Sequence, residues 1–371
     1  MQQARILISG GGIGGLTSAI ALRQRGFSVT IAERDPEWSV YGVGIIQQAN
    51  VVRAIASLGL LDAYVASAYP FDRIEMFAPD GTQVASIPSP RLAGGDYPAQ
   101  LGISRPALQR VLADAARSAG TEIRLGASVE RFEDDGDGVG VRFTDGTCER
   151  FDLLVGADGL YSQTRAAIFP DAPGPAFTGQ SVWRYNLPRP AEVECLQAYT
   201  GRVGLGLVPL SADTMYMFVT SPEPGNPHVP VEGRAAAMRQ RLAGVAPRIA
   251  ALAEQITDDR AVVYKPLEAL YLEGPWHKGR VVLIGDAVHG TTPHLGQGAG
   301  MAIEDSIVLA DELARHAPEP AFAAYQARRE GRCRFIVESS VAVGEFQLGR
   351  RDTLDYPALT REMFERTAKP V

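Results

Sequence analysis

Residues 4–35, ARILISGGGIGGLTSAIALRQRGFSVTIAERD, decide the fold. An apolar run, Ile6 to Ile8, leads into Gly10-x-Gly12-x-x-Gly15. A small-residue helical segment, Leu16 to Arg25, stops at Gly26, and a β-branched run from Val29 to Ile31 ends at Glu33 and Arg34. Each part has a physical task in holding a dinucleotide. Gly10 permits the tight turn from strand into helix. Gly12 lets backbone N–H groups close on a pyrophosphate, and Gly15 lets the helix lie against the strands. The helix N-terminus adds partial positive charge. Glu33, at the tip of the second strand, is placed to accept hydrogen bonds from a ribose, with Arg34 beside it in the same binding set. A lone glycine motif is weak evidence, but here strand, helix and acid stand at the expected offsets. The stretch predicts a bound adenine dinucleotide.

Outward from there, Trp38 to Gly44 is loop-like, and Ile45 to Leu61 reads as helix, with Val52, Ile55 and Leu58 at helical spacing. Ile74–Phe77 and Val84–Ile87 flank Pro79-Asp80-Gly81, a hairpin signal that belongs to a second sheet. Ser104 is an N-cap and Pro106 a first-turn proline for a helix ended by Gly120. Val129 to Phe151 holds three short strands around two Asp-Gly turns, a β-meander. Asp152 to Gly156 is a buried strand. From Pro173 to Pro266 alternating strands dominate: Val182 to Asn186, Arg202 to Val208 and Thr214 to Thr220, with helices at Glu232–Leu242 and Pro247–Gln255. Arg280 to Gly285 restores a parallel-type strand; helices follow at Gln297–Ala314 and Pro318–Phe346, then a charged tail. The expectation is an α/β chain: a Rossmann-like dinucleotide domain with a β-meander, made of 1–72, 98–172 and 267–345. A mostly antiparallel β-domain, 73–97 and 173–266, is inserted into it, and 346–371 forms a C-terminal helical tail.

Composition narrows the class. The chain has 371 residues, which suggests about two domains, with 46% hydrophobic and 21% charged residues, as in soluble globular proteins. A net charge of −7 with no basic stripe argues against nucleic acid. Cys148, Cys195 and Cys333 are far apart and not in CxxC pairs, which excludes a disulfide framework. The five histidines lack ligand spacing, so no metal is expected. The first strand starts close to Met1, leaving no room for a signal peptide in this reading, and no apolar run approaches membrane-spanning length. The expectation is a cytoplasmic enzyme of bacterial type, monomer or homodimer.

Three further motifs stand in order: Ser104-Arg105-Pro106; Gly156-Ala157-Asp158-Gly159 with Ser162 and Arg165; and Gly285-Asp286-Ala287-Val288-His289, then Pro293 and Gly296-Gln297-Gly298. With the opening turn they resemble the single-component flavin-dependent aromatic hydroxylases, the p-hydroxybenzoate hydroxylase-like monooxygenases, over nearly the whole chain. The resemblance implies FAD as cofactor and NAD(P)H as reductant. It implies a flavin hydroperoxide that passes oxygen from O2 to an activated aromatic or heteroaromatic ring, and a small-molecule substrate. Asp286, after a buried strand, is placed to accept from a ribityl hydroxyl. Gly296, Gly298 and Ala299 open a helix whose free N–H groups face the flavin's pyrimidine edge. Arg105 resembles the arginine that reaches the diphosphate and ribityl region. Asp158 resembles the second-fingerprint aspartate, or is a turn aspartate ahead of Gly159. Pro293 resembles the proline that flanks the isoalloxazine ring. Gln48 departs from the family, which often has proline there.

For the substrate side, Gly204 and Gly206 share a strand face and leave space, while Tyr216 and Phe218 share another. Tyr216 is the leading substrate contact; its alternative is a core aromatic with a satisfied hydroxyl. His294, between Pro293 and the glycine-rich helix start, is an acid/base or hydrogen-bonding residue, or a structural loop histidine. His289 is structural. Arg184 and Arg202 could bind a carboxylate, though solvated strand arginines are the favoured reading. Other readings keep part of this pattern: an NAD-dependent dehydrogenase, a flavoenzyme of the same fold that epoxidises or reduces, or a flavin-binding protein without turnover.

Overall fold

The first apolar run becomes the Arg5–Ser9 strand, an interior strand of a six-stranded sheet. In the computed structural model, which describes residues 4–201 and 203–371, that sheet runs His277–Lys278, Val281–Leu283, Leu153–Gly156, Arg5–Ser9, Ser28–Glu33, Glu122–Leu125. All neighbours are parallel except the first pair. Parallel strands are covered on both faces, so continuous rather than alternating apolar runs are expected, and Ile6, Leu7, Ile8, Leu153, Leu154 and Val155 are all fully buried. The Ile13–Gln24 helix has Gly15 to Leu22 buried, because the long Gly298–Arg315 helix packs on its other side. Ser306 ties the two helices, its hydroxyl lying 2.8 Å from Thr17 Oγ1 and 2.9 Å from Ser18 Oγ.

The second sheet has seven strands, in the order Val263–Ala269, Ala176–Pro188, Thr214–Pro222, Leu205–Pro209, Leu196–Tyr199, Arg73–Phe77, Gln83–Pro88. The hairpin around Pro79-Asp80-Gly81 forms its far edge. Period-two alternation sorts its faces. Trp183, Tyr185, Leu187, Met215, Met217 and Val219 face one way, into a core closed by the Arg234–Arg241 and Pro247–Ala253 helices. Arg184, Tyr216, Phe218 and Thr220 face the other way. The Val129–Asp134, Val139–Phe143 and Cys148–Phe151 strands form the separate three-stranded meander.

Two points depart from what the sequence leads one to expect. Ile45 to Leu61 is not one helix: Gly44–Gln47 is a strand paired with Gln100–Ser104, and helices follow at Ala49–Ser57 and Leu61–Ala66. The β-branched pair Ile45-Ile46 pairs with a neighbouring strand, and buried Gln47 accepts a hydrogen bond from the Tyr64 hydroxyl at 2.5 Å. The Leu196–Tyr199 strand has no counterpart in the sequence reading; it is short and follows a proline-interrupted stretch. Between it and Leu205–Pro209 lies Arg202, outside the described residues. The charged tail, expected to be helical over 346–371, carries a helix at Tyr356–Ala368, with Met363 buried. Its end is held by arginines from two other helices. Arg53 donates to the carbonyls of Thr367, Ala368 and Lys369, and Arg332 to that of Lys369 at 2.7 Å. No helix among the described residues is long and apolar enough to cross a membrane.

Candidate active site

The glycine turn is built as tightly as its sequence implies. Gly10 has φ +107°, a left-handed conformation that favours glycine, and its amide donates to Ala32 O at 2.9 Å. A Cβ on Gly15 would lie 1.9 Å from Gly10 O, so the helix reaches its position only with glycine there. Gly12 differs: it is the N-cap of the helix, and a Cβ on it would meet no protein atom within 4 Å. No side chain caps that helix, so its first N–H groups open onto free space. Glu33 Oε2 accepts from Gly11 N at 2.7 Å and Oε1 from Asp35 N at 2.9 Å, so the acid also braces the turn. Each oxygen keeps a lone pair for a further donor. Trp38, unmarked by any motif, donates from its indole to Gly11 O at 2.8 Å and lies 5.3 Å beneath the Arg117 guanidinium. Arg34 is exposed beside Glu33.

Across from this turn, Ser104 caps the Arg105–Ser118 helix by accepting from Ala107 N at 3.2 Å, which places Arg105 at its start. Arg105 lies near Asp286, Tyr216 and Arg184. Neither Arg105 nor Arg184 forms a side-chain hydrogen bond or ion pair among the described residues. Burial lowers both pKa values, and the nearby Arg105 charge helps to bring Arg184 down to about 10. Arg184 is therefore no solvated strand arginine. Asp286 is enclosed by protein on several sides, and that desolvation raises its pKa against the pull of His289 and Arg105. Its side chain nonetheless faces solvent-accessible space, as a carboxylate lining a slot does.

Asp158 is the turn aspartate. Its Oδ1 accepts from Ser162 Oγ at 2.5 Å and its Oδ2 from Thr164 N and Oγ1, both at 2.9 Å, while Ser162 Oγ caps Arg165 N. Its carboxylate faces its own loop; what reaches the glycine turn is backbone, with Ala157 O 2.5 Å from where a Gly10 Cβ would be.

The second glycine-rich stretch is held by Gln48, the residue that departs from the family, and by Asn50. Gly296 has φ +64°, and Gln48 beside it donates to Leu295 O at 2.8 Å and accepts from the Gln297 amide. Asn50 donates to Gln297 Oε1 at 3.0 Å. The unusual glutamine thus anchors the Leu295–Gln297 turn. Gly298 begins the long helix without a side-chain cap, leaving its N–H groups and that of Ala299 free.

Pro293 and His294 line a cavity of about 190 Å³ between this turn, the second sheet and the two C-terminal helices. His294 Nδ1 is 2.8 Å from Thr292 Oγ1, and Nε2 is 3.2 Å from Gln347 Oε1. That amide oxygen also accepts from Thr220 and Gln180, at 3.0 and 2.8 Å. An amide oxygen only accepts, so Nε2 carries the hydrogen and Nδ1 accepts from Thr292. Burial lowers the His294 pKa to about 4, which keeps the ring neutral near pH 7. Tyr216 is outside this lining. It is buried against Gly44 and 6.1 Å from the Phe218 ring, and burial raises its hydroxyl to about 12. Phe218 and Thr220, one and two pairs along the same face, line the cavity instead. Gly204 and Gly206 do not leave open room: the Phe218 ring covers Gly206, and the Gln347 amide covers Gly204.

His289, Asp305 and Cys333, distant in sequence, meet in the core with ligand-type atoms within 4.8 Å of one another. Asp305 is already engaged on both oxygens. It lies 2.7 Å from His289 Nε2, and accepts from Gly285 N at 2.9 Å and Arg329 Nε at 2.8 Å. Burial opposes its charge, but His289 and Arg329 hold it ionised. The Arg329 guanidinium, 3.6 Å from Cys333 Sγ, makes this an ion-pair lock on the Gly285-Asp286 turn, with a cation already in place.

A capless glycine-turn helix with an acid at the next strand tip, together with two half-buried arginines that lack a side-chain partner among the described residues, suits a dinucleotide cofactor. The FAD binding domain family model matches residues 3–340, and the chain belongs to that family. It is a flavin-dependent monooxygenase of the aromatic hydroxylase type, with FAD and NAD(P)H as its cofactors. It is 35% identical over 348 residues to aurachin C monooxygenase/isomerase of Stigmatella aurantiaca, covering 92% of this chain and 88% of that protein. It is 33% identical over 347 residues to 2-heptyl-3-hydroxy-4(1H)-quinolone synthase of Pseudomonas aeruginosa, covering 91% and 88%. The crystal structure of Klebsiella pneumoniae HpxO complexed with FAD and uric acid superposes with a TM-score of 0.82 at 27% identity, covering 98% of this chain and 92% of that one. The residues present fit FAD: open space over Gly12, free helix N–H groups at two places, and two cations without counter-ions.

Proposed function

We propose that this chain uses NAD(P)H and O2 to hydroxylate an aromatic or heteroaromatic ring lying in the cavity beside Pro293 and His294. The observation that carries this is His294: neutral, fixed at both nitrogens, and set in the cavity wall next to the uncapped start of the Gly298–Arg315 helix. The heteroaromatic ligand of the superposed HpxO structure and the quinolone-related relative favour a heteroaromatic ring.

Bound FAD supplies the electrons taken from NAD(P)H and the activation of oxygen. The rest falls to this chain. Gly10, Gly12, Gly15 and Glu33 hold the adenosine half, and Arg105 and Arg184 meet negative charge on the cofactor. Asp286 takes a hydroxyl of the ribityl chain. The free N–H groups of Gly298 and Ala299 stabilise negative charge at the flavin. Pro293 and Leu295 keep water from the ring. A conjugate acid with a pKa of about 4 holds a proton poorly at pH 7, and both ring nitrogens are engaged. His294 therefore does not store the substrate ring's proton but fixes Gln347, whose amide N–H is left to meet that ring's polar edge. In this reading 1–72, 98–172 and 267–345 hold the cofactor, 73–97 and 173–266 wall the pocket, and 346–371 closes it. Three unpaired cysteines suit a reducing cytoplasm.

Labelled oxygen gas tests the reaction. With a ring that stimulates NAD(P)H oxidation, the new hydroxyl is expected to carry label from the gas; label drawn from water refutes hydroxylation by this route.

A further inference from the structure

The cavity is much longer than its polar end. On the second sheet its lining crosses five adjacent strands, from Phe218 and Thr220 on Thr214–Pro222 to Ile87 on Gln83–Pro88. Four gaps between neighbouring strands amount to roughly 19 Å. One end holds a connected polar network of Thr220, His294 and Gln347. The other lining hydroxyls, of Tyr199, Thr200, Tyr356 and Thr360, stand singly along the rim and roof, with Thr200 already bonded to Phe77 O at 3.0 Å. From the network the strand pairings lay out a hydrocarbon floor in two rows. One runs Phe218, whose ring covers Gly206, then Ala198 and Met76, and the other Leu196, Ile74, Ile87. Val343, Phe346 and Met363 of the C-terminal helices form the roof. The Thr360 hydroxyl is turned back to Tyr356 O, at 2.9 Å, which leaves the Tyr356 hydroxyl as the polar group of that helix in the lining. Among the described lining residues none carries a charge.

A ring seated at His294 and Gln347 leaves most of that floor uncovered. We infer that the substrate ring is uncharged and carries a hydrocarbon tail of several carbons, which lies along Ala198, Leu196, Met76 and Ile74. This rests on the reading of the cavity as the substrate site. A bare ring would leave the floor to water, while an ionised carboxylate in the tail's place would be stripped of water with no partner on the floor.

The test uses the FAD-loaded protein and a series of 2-alkyl-4-hydroxyquinolines, methyl to nonyl, with binding read from the change in flavin absorption. Each methylene is expected to tighten binding about fourfold, equivalent to ~0.8 kcal/mol, until the tail outgrows the floor. 3-Hydroxybenzoate and 6-hydroxynicotinate are expected to bind at least a hundredfold more weakly than the heptyl compound. A series flat in chain length, or tighter binding of either carboxylate, overturns the inference. Ala198→Phe narrows the floor midway and is expected to weaken the nonyl compound more than tenfold relative to the methyl compound; equal loss along the series counts against it. The two readings fail separately. NAD(P)H oxidation stimulated by a carboxylate ring alone overturns the tail and leaves hydroxylation standing. A chain-length slope with no oxidation of any ring supports the tail and removes hydroxylation.

Discussion

His294 is the residue whose environment does most to its chemistry. Its pKa of about 4 in the folded protein lies below the ordinary 6.5, so between those values the unfolded chain binds a proton that the folded chain refuses. Stability is therefore full above pH 6.5 and falls as the pH drops toward 4. His294→Asn removes this term. Denaturant titrations from pH 7.5 to 4 should show the wild type losing about 1–3 kcal/mol more than the variant over that range. Parallel curves would mean that the ring is not held neutral. Glu33 makes a second case, because its carboxylate both braces Gly11 and is free to meet a ribose. Glu33→Ala should weaken FAD binding by about 1–3 kcal/mol, measured by titrating apoprotein with FAD. Unchanged affinity would take Glu33 out of the site.

The strand–turn–helix unit separates packing from binding. Gly12→Ala adds a methyl that meets no protein atom, so the apoprotein's stability should stay within about 0.5 kcal/mol while FAD affinity falls at least tenfold. Gly15→Ala drives a methyl into Gly10 O and should damage stability and FAD binding together. If Gly12→Ala spares affinity, the open space is not where the cofactor's phosphates lie. This unit was legible in the sequence because its requirements are local: a turn, a cap, an acid one strand away. The Ser104 cap, the Gly285-Asp286 turn and the meander were legible for the same reason. The cavity was not. Gln48, Asn50, Gln347 and Trp38 act across intervals of tens to hundreds of residues, and an isolated glutamine carries no local signature. Tyr216 was singled out by strand alternation, which gives the face correctly but not the position along it. Arg184 misled for a related reason: exposure of a strand arginine depends on what packs over that face.

At the scale of the molecule, the cofactor slot gathers like charges that lack partners. Arg105 and Arg184 lie close enough for one to depress the other, with only Asp286 near by. The protein should therefore depend on its cofactor for more than activity. FAD at a hundredfold over its Kd stabilises by about 2.7 kcal/mol through mass action alone. Sulfate or phosphate, which screens or bridges the two guanidiniums, should raise the Tm of apoprotein more than that of holoprotein. An equal rise in both would place the two arginines away from the cofactor. Thermal unfolding with and without FAD, at low and moderate salt, reads both effects.

The order of strands in the first sheet has a consequence for biosynthesis. Arg5–Ser9 leaves the ribosome first, yet one of its two neighbours, Leu153–Gly156, is made some hundred and fifty residues later, and the next strand, Val281–Leu283, later still. Until then the growing chain exposes the edge of an apolar strand that is ready to pair with whatever comes near. The Ser28–Glu33 strand and the Ile13–Gln24 helix can cover one flank early, but the other waits for most of the polypeptide. A nascent chain arrested before residue 150 should be a strong client for chaperones that bind hydrophobic segments, and release should come only once the Leu153–Gly156 strand has cleared the exit tunnel.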